Sequence, residues 1–154
     1  MIDLFAGCGG LTAGFEEAGY ESVLAVECDD DAADTFELNF ERKVDRRRIE
    51  EIKGFPDADI VVGGPPCQGF SPLNRAGVGF ERRGLWREYL RVLEEARPSA
   101  FLMENVPPLL RSAEYAAFAH EAEALGYVVD ARILNAADFG VPQRRRRAFV
   151  IGSR

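Results

Sequence analysis

Short apolar runs alternate with amphipathic stretches along most of the chain. The runs at 2–5, 23–27, 60–62 and 100–103 have the length of buried strands and are bounded by glycine, proline or polar residues. The stretches at 11–18, 30–40, 85–96 and 112–125 predict helices, and in 85–96 the apolar residues recur at the spacing of one helical face. This alternation predicts an α/β fold with a mostly parallel sheet and helices on both faces.

The last part of the chain breaks the alternation. Apolar runs at 128–134 and 148–151 follow each other with no helical stretch between them, which predicts an antiparallel hairpin around a loop at 138–147. An additional short strand is expected near Val44, and Ser112 and Gly126 are expected to bound the helix between them. The 154 residues contain no internal repeat or linker, so we expect one domain that spans 1–154.

Composition narrows the class of protein. With 47% hydrophobic and 29% charged residues the chain matches soluble globular proteins, and no apolar run reaches the roughly 20 residues of a membrane span. Cys8, Cys28 and Cys67 form no C-x-x-C pair, which argues against a disulfide framework and a zinc site. We therefore expect a cytoplasmic protein without a metal or a membrane partner, and without a signal peptide because Met1 directly precedes a strand-like run.

Basic residues are clustered although the net charge is −7. The first basic patch comprises Arg42, Lys43, Arg46, Arg47 and Arg48, the second Arg75, Arg82, Arg83 and Arg87, and the third Arg144, Arg145, Arg146 and Arg147. Local basic patches bind phosphates even on an acidic protein, so a nucleic-acid partner is compatible with this composition. Solvated surface arginines are the alternative interpretation of each patch.

Cys67 lies in the segment Gly64-Pro65-Pro66-Cys67-Gln68, directly after a buried apolar run. Open α/β sheets bind ligands at the carboxyl ends of their strands. A stiff double-proline turn at such an end would hold a thiol where it can act as a nucleophile. A small buried core residue is the alternative interpretation of an isolated cysteine.

A glycine loop, Phe5-Ala6-Gly7-Cys8-Gly9-Gly10, connects the first strand to the first helix. Glu27 ends the next strand 20 residues after Gly7, where nucleotide-binding α/β folds carry a carboxylate that binds ribose. The spacing differs from the dinucleotide pattern G-x-G-x-x-G, and the loop has no cation for a pyrophosphate. Both points favour a mononucleoside cofactor such as S-adenosylmethionine over NAD.

Charged residues also lie at the end of one later strand and at the start of another. Glu104 closes the fifth predicted strand, and neighbouring strand ends would place it near Cys67. A carboxyl group in a partly enclosed cleft has a raised proton affinity and can donate a proton to a ring nitrogen. If the last strand begins near Arg146, then Arg145 and Arg147 point to the same side, where two guanidinium groups suit carbonyl and phosphate oxygens.

Together these segments resemble the DNA (cytosine-5) methyltransferase family. The matching segments occur in the family's order and are Asp3-Leu4-Phe5-Ala6-Gly7-Cys8-Gly9-Gly10, Gly64-Pro65-Pro66-Cys67-Gln68-Gly69-Phe70-Ser71, Glu104-Asn105-Val106 and Gln143-Arg144-Arg145-Arg146-Arg147. The resemblance spans essentially 2–152 and implies a Rossmann-like S-adenosylmethionine-dependent methyltransferase core that acts on cytosine in double-stranded DNA. The ending Gly69-Phe70-Ser71 is more similar to bacterial DNA enzymes, as in restriction–modification systems, than to the branch that methylates tRNA.

The resemblance also implies residue roles. Cys67 would attack carbon 6 of a flipped-out cytosine, Glu104 would protonate ring nitrogen 3, and Arg147 with Arg145 would orient the ring. Glu27 would bind the ribose hydroxyls of the cofactor and Asp45 its adenine amine. The other cofactor-binding residues implied are Phe5, Gly7, Cys8, Gly9, Gly10, Cys28, Pro66 and Leu85.

Family members continue into a target-recognition domain and a C-terminal segment that packs on the core and completes the cofactor pocket. This sequence stops at Arg154, soon after the arginine motif, so the resemblance predicts a core that needs a C-terminal half or a target-recognition subunit. A catalytically silent module that binds S-adenosylmethionine or DNA, and a tRNA cytosine-5 methyltransferase, remain as alternatives. An NAD-dependent oxidoreductase is disfavoured by the glycine spacing.

Overall fold

The computed structural model describes residues 1–66 and 84–154. Cys67, the predicted nucleophile, lies outside the described residues, as do Arg75, Arg82 and Arg83 of the second basic patch. The strands are β1 (Ile2–Leu4), β2 (Leu24–Val26), β3 (Ile60–Gly63), β4 (Ala100–Asn105), β5 (Val128–Asn135) and β6 (Arg146–Ser153). The helices are α1 (Gly10–Glu17), α2 (Asp30–Phe40), α3 (Leu85–Ala96) and α4 (Ala113–Ala124), and short 3₁₀ helices cover Ile49–Glu51, Pro107–Arg111 and Ala136–Phe139.

Among the described residues, six strands form one sheet in the order β2-β1-β3-β4-β6-β5. The strands β2, β1, β3 and β4 pair in parallel, whereas β6 runs antiparallel to both of its neighbours, β4 and β5. The predicted mostly parallel sheet and the predicted hairpin are therefore confirmed. The apolar runs underestimate β5 and β6, because both strands carry exposed polar residues that interrupt the apolar pattern.

Helices cover both faces of the sheet, as the alternation of elements predicts. On one face, α1 packs through Phe15 beside Val62 of β3, and α2 packs through Phe36 beside Ala25 of β2. On the other face, α3 and α4 enclose the larger core, in which Phe101 of β4 meets Phe118 of α4 edge to face. Because β1, β2, β3 and β4 run parallel to one another, their carboxyl ends lie along one edge of the sheet.

The helix bounds follow the local sequence closely. The bounds of α2 and α3 are those expected, and Ser112 caps α4 by accepting the N–H of Tyr115 at 3.1 Å. Gly126, with φ of 93°, follows α4 as predicted. None of the helices in the described part of the chain is long and apolar enough to cross a membrane.

The strand expected near Val44 is reduced to a single bridge. Asp45 pairs in parallel with Val26 through this bridge, and the ladder does not extend further. The backbone turns away directly after Asp45 because the N–H of Arg47 donates to the Asp45 carboxylate at 3.1 Å. Val44 contributes to the core beside α2 without belonging to a strand.

On the face of the sheet that carries α1 and α2, apolar side chains of β5 and β6 are exposed. Ile151 of β6 pairs with Leu102, which packs with α1, so both side chains lie on this face. Ile151 is nevertheless 46% exposed, and Leu134 on the same face of β5 is 38% exposed. Phe139, in the loop between these strands, is 68% exposed. These three residues define the open sheet face, a set of exposed apolar side chains typical of an interaction surface.

Candidate active and cofactor sites

The glycine loop bends sharply at the end of β1. Phe5, Gly7 and Gly9 have φ of 57°, 56° and 90°, and the N–H of Gly9 donates to the Ala6 carbonyl at 2.9 Å. A side chain at position 9 has no room, since a Cβ there would lie 2.1 Å from the ring of Phe40. Glycine at this position therefore permits both the left-handed backbone and the close approach of the loop to α2.

Glu27 joins the glycine loop to the end of β2. Its Oε2 accepts the N–H of Gly7 and its Oε1 accepts the N–H of Asp29, each at 2.8 Å. A carboxylate accepts about four hydrogen bonds in total, so roughly two acceptor positions remain for the hydroxyl groups of a ligand. The structure thus brings the loop and the acid together across 20 residues of sequence.

A cavity of about 490 Å³, the Glu27 cavity, opens beside this bend. Five of the predicted cofactor-binding residues line it, namely Phe5, Glu27, Cys28, Pro66 and Leu85. The segment from Arg47 to Glu50 also lines it, although sequence reasoning did not select these residues for this role. The one signal available was the apolar Ile49 among charged neighbours, which is buried and anchors the segment.

The other predicted cofactor-binding residues do not line the Glu27 cavity. Gly7 and Gly9 shape the loop, Cys8 is exposed, and Gly10 lines a second cavity described below. Arg47 binds the Asp45 carboxylate through Nε at 3.0 Å and through Nη2 at 2.6 Å, and these hydrogen bonds lower the pKa of Asp45. Asp45 is therefore engaged by the protein itself in this conformation.

The second cavity, the Glu104 cavity, has a volume of about 600 Å³ and lies at the carboxyl ends of β1, β3 and β4. Its lining includes Glu104, Arg145 and Arg147 together. Because β6 begins at Arg146, the two arginines point to the same side, as the alternation predicts. Nε of Arg147 lies 2.8 Å from Oε1 of Glu104, and both side chains are 25% exposed. The described residues contain no group of three or more side chains suited to bind a metal.

Two contacts connect the end of β4 to the loop that leads to Cys67. A Cβ on Gly64 would lie 3.2 Å from Oε2 of Glu104, so glycine allows this carboxylate to approach the loop. The buried side chain of Asn105 donates from Nδ2 to the Pro65 carbonyl at 3.0 Å. Sequence reasoning treated Asn105 only as part of a motif, because its partner lies 40 residues away in the chain.

A buried polar pair lies beneath the glycine loop. Asp3 of β1 and Thr12 of α1 are both fully buried, and the Thr12 hydroxyl donates to Oδ2 of Asp3 at 2.6 Å. Oδ1 of Asp3 has no hydrogen-bond partner among the described residues. Burial raises the pKa of Asp3 to about 6.

The whole chain, residues 1–154, matches the family described as C-5 cytosine-specific DNA methylase. The type II methyltransferase M.FnuDI of Fusobacterium nucleatum is 39% identical over 160 residues, which cover 100% of this chain and 46% of that protein. The type II methyltransferase M.XorII of Xanthomonas oryzae pv. oryzae is 41% identical over 170 residues, which cover 99% of this chain and 40% of that protein. The chain spans less than half the length of these curated relatives.

Solved structures share the fold. A DNA modification methyltransferase encoded within a prophage of E. coli matches with a TM-score of 0.84 and 34% identity, over 99% of this chain and 46% of that chain. The S. pombe Dnmt2 methyltransferase matches with a TM-score of 0.82 and 22% identity, over 99% of this chain and 50% of that chain. The predicted fold class, a Rossmann-like methyltransferase core, is confirmed by these likenesses.

Proposed function

The chain belongs to the C-5 cytosine-specific DNA methylase family, and from this premise we propose that it is the catalytic core of a DNA (cytosine-5) methyltransferase. The observation that carries the proposal is the Glu104 cavity, where one acid and two arginines converge beside the loop that leads to Cys67. Methylation of carbon 5 of a pyrimidine requires an acid at a ring nitrogen, donors that orient the ring and a nucleophile at carbon 6.

We assign S-adenosylmethionine to the Glu27 cavity. The fit depends on Glu27, which two backbone N–H groups fix in place and which keeps acceptor positions for the two hydroxyls of a ribose. Phe5, Pro66 and Leu85 supply apolar surface for a flat base. S-adenosylmethionine would supply an electrophilic methyl group. Phe5 and Gly64 line both cavities, so the methyl group and the substrate ring would meet at one edge of the sheet.

The proposed reaction uses residues from three segments of the chain. The thiolate of Cys67 attacks carbon 6 of a cytosine that has flipped into the Glu104 cavity, while Glu104 protonates ring nitrogen 3. Arg147 holds one oxygen of Glu104 and leaves the other toward the ring, and Arg145 contacts the ring edge. Carbon 5 then has the electron density to accept the methyl group. Water takes the proton from carbon 5, the double bond between carbons 5 and 6 re-forms, and Cys67 leaves as a thiolate while the nitrogen-3 proton returns to Glu104.

The proposal includes a C-terminal complement. The open sheet face is exposed in this chain, and Leu134 and Phe139 of that face also line the Glu104 cavity. A segment packed there would bury these side chains and enclose the site at the same time. Reading a DNA sequence requires elements that enter a groove, so the complement would contain the target-recognition domain. The whole enzyme would act in the cytoplasm within a restriction–modification system.

Covalent trapping tests the proposal. The chain, with its C-terminal complement expressed separately, is incubated with S-adenosylmethionine and a duplex that contains 5-fluorocytosine. Fluorine at carbon 5 cannot leave as a proton does, so a protein–DNA adduct should accumulate, and Cys67→Ser should abolish it because a serine hydroxyl remains protonated near neutral pH. An adduct that survives in Cys67→Ser would place the nucleophile elsewhere. Trapping on tRNA substituted with 5-fluorocytosine, but not on DNA, would favour the tRNA alternative.

A further inference from the structure

The first and third basic patches differ in how far their charge is neutralised. Every member of the first basic patch forms an ion pair within the chain: Arg42 with Glu16, Lys43 with Glu37, Arg46 with Asp34, Arg47 with Asp45 and Arg48 with Glu50. In the third basic patch, Arg147 pairs with Glu104, whereas Arg144, Arg145 and Arg146 form no ion pair with the described residues. The first patch is therefore a neutralised surface, and the third keeps its positive charge.

Arg146 points away from the Glu104 cavity. Residues alternate between the faces of a strand, so Arg146 and Arg147 lie on opposite sides of the sheet. Arg146 lines a separate groove of about 310 Å³ together with Pro107, Pro108, Arg111 and Ile133. This Arg111–Arg146 groove thus brings together two exposed guanidinium groups from different elements, over a floor of proline and isoleucine.

The groove and the Glu104 cavity are formed by neighbouring residues at the carboxyl end of β4 and at the start of β6. The 3₁₀ helix that ends at Arg111 begins two residues after Asn105, at the carboxyl end of β4. Ala148 of β6 pairs with Asn105, which places the start of β6 at the same end. A cytosine that enters the Glu104 cavity must leave the phosphates of its strand outside, along this edge of the sheet.

We propose, on the basis of the function proposed above, that the Arg111–Arg146 groove binds backbone phosphates of the DNA strand next to the target cytosine. Guanidinium groups bind phosphate oxygens through paired N–H donors, which suits two exposed arginines that line one groove. The apolar floor gives no acceptor that would compete for these donors and offers a surface for the sugar. The contact would position the strand without reading its sequence.

The salt dependence of DNA binding tests the inference. Binding of the chain to a fluorescein-labelled DNA duplex is measured by anisotropy over a series of salt concentrations, for wild type, Arg111→Gln, Arg146→Gln and the double variant. The logarithm of the affinity falls as the logarithm of the salt concentration rises, and each phosphate contact that is lost should make this slope less steep by about 0.9. We therefore expect the slope to become less steep by roughly one unit in each single variant and by roughly two units in the double variant.

Arg132→Gln is the matched control, because Arg132 is also an exposed arginine, on the neighbouring strand, and already pairs with Asp130 at 3.0 Å. Its slope should stay at the wild-type value. Binding of S-adenosylhomocysteine, measured by calorimetry, should be the same in all variants and shows that each is folded. A wild-type slope in the double variant would overturn the phosphate groove and leave the proposed function intact. Absence of salt-dependent DNA binding by the wild-type chain would contradict both.

Discussion

Asn105 is the residue through which the end of β4 reaches the loop that leads to the nucleophile. Asn105→Asp keeps the shape of the side chain but replaces the N–H donor to the Pro65 carbonyl with an acceptor. We expect the rate of trapping on 5-fluorocytosine DNA to fall at least about 10-fold, or about 1.4 kcal/mol, because the loop loses its anchor. The affinity for S-adenosylhomocysteine should change little. Equal trapping rates in the variant and wild type would show that the loop is positioned by other contacts.

The raised pKa of Asp3 predicts that the stability of the protein depends on pH. A folded-state pKa of about 6, against 3.8 for an ordinary aspartate, means that the folded protein binds a proton more tightly than the unfolded chain. The contribution of protonated Asp3 to the free energy of unfolding is therefore complete below about pH 4 and is lost as the pH rises through about 6. A shift of this size corresponds to roughly 3 kcal/mol of unfolding free energy.

Asp3→Asn should remove this dependence, because an amide fits the same space and does not ionise. The gain in unfolding free energy over wild type should be small at pH 4 and should rise to as much as about 3 kcal/mol at pH 7, measured by urea denaturation at both pH values. Thr12 keeps an acceptor in the variant, since the amide oxygen replaces Oδ2. Stability curves of variant and wild type that run parallel over this pH range would mean that Asp3 titrates normally.

These two residues also mark how far single positions can be predicted from the sequence. Glu27, Glu104 and Arg147 could be selected because charged residues at strand ends carry a chemical signal of their own. Asn105 and Asp3 gave no such signal, because one acts through a contact 40 residues away and the other through its burial. Spacing likewise did not indicate that Arg47 engages Asp45, since this contact depends on how the backbone turns after Asp45.

At the scale of elements, the period of the apolar residues was the strongest predictor. It located α2 and α3 to the residue, since one face of each helix is buried. It was less precise in the hairpin, where β5 ends one residue beyond the apolar run and β6 extends two residues beyond its run at each end, because arginine, glycine and serine occupy the outer positions of β6. The bend of the glycine loop was predictable in kind but not in its packing, because the contact of Gly9 with Phe40 depends on where α2 docks.

Gly9→Ala tests that packing, and Gly19→Ala is its matched control. Both glycines have φ close to +90°, but a Cβ at position 19 meets nothing within 4 Å, whereas at position 9 it meets the rings of Phe40 and Phe36. Gly19→Ala should cost only the backbone strain of about 1–2 kcal/mol. Gly9→Ala should cost about 1–3 kcal/mol more from overpacking and should weaken binding of S-adenosylhomocysteine. Equal unfolding free energies in urea, with equal affinities by calorimetry, would show that Phe40 simply moves aside.

In the described part of the chain, helices cover one face of the sheet and only part of the other. Family membership and fold were predictable because four motifs occur in order along one continuous chain. The open sheet face was not, since Leu134, Phe139 and Ile151 are ordinary apolar residues in the sequence and their exposure appears only when the strands are assembled. This exposure is what indicates where a C-terminal complement would pack.

If the complement packs on the open sheet face, a charge placed there should block assembly while leaving the isolated chain folded. Ile151→Glu is the test, because Ile151 is 46% exposed in this chain and would be buried by the complement. Burial of an unpaired carboxylate costs several kcal/mol, so we expect Ile151→Glu to abolish most of the methylation that the complement restores. The chain alone, wild type or variant, should methylate no defined DNA sequence, because phosphate contacts carry no sequence information. Leu38→Glu, at an 81% exposed position on α2, should assemble and methylate as wild type.

Both variants are compared with wild type by measuring the transfer of a labelled methyl group to DNA as the concentration of the complement is increased. Equal titration curves for Ile151→Glu and Leu38→Glu would place the complement on another surface, and sequence-specific methylation by the chain alone would show that no complement is needed.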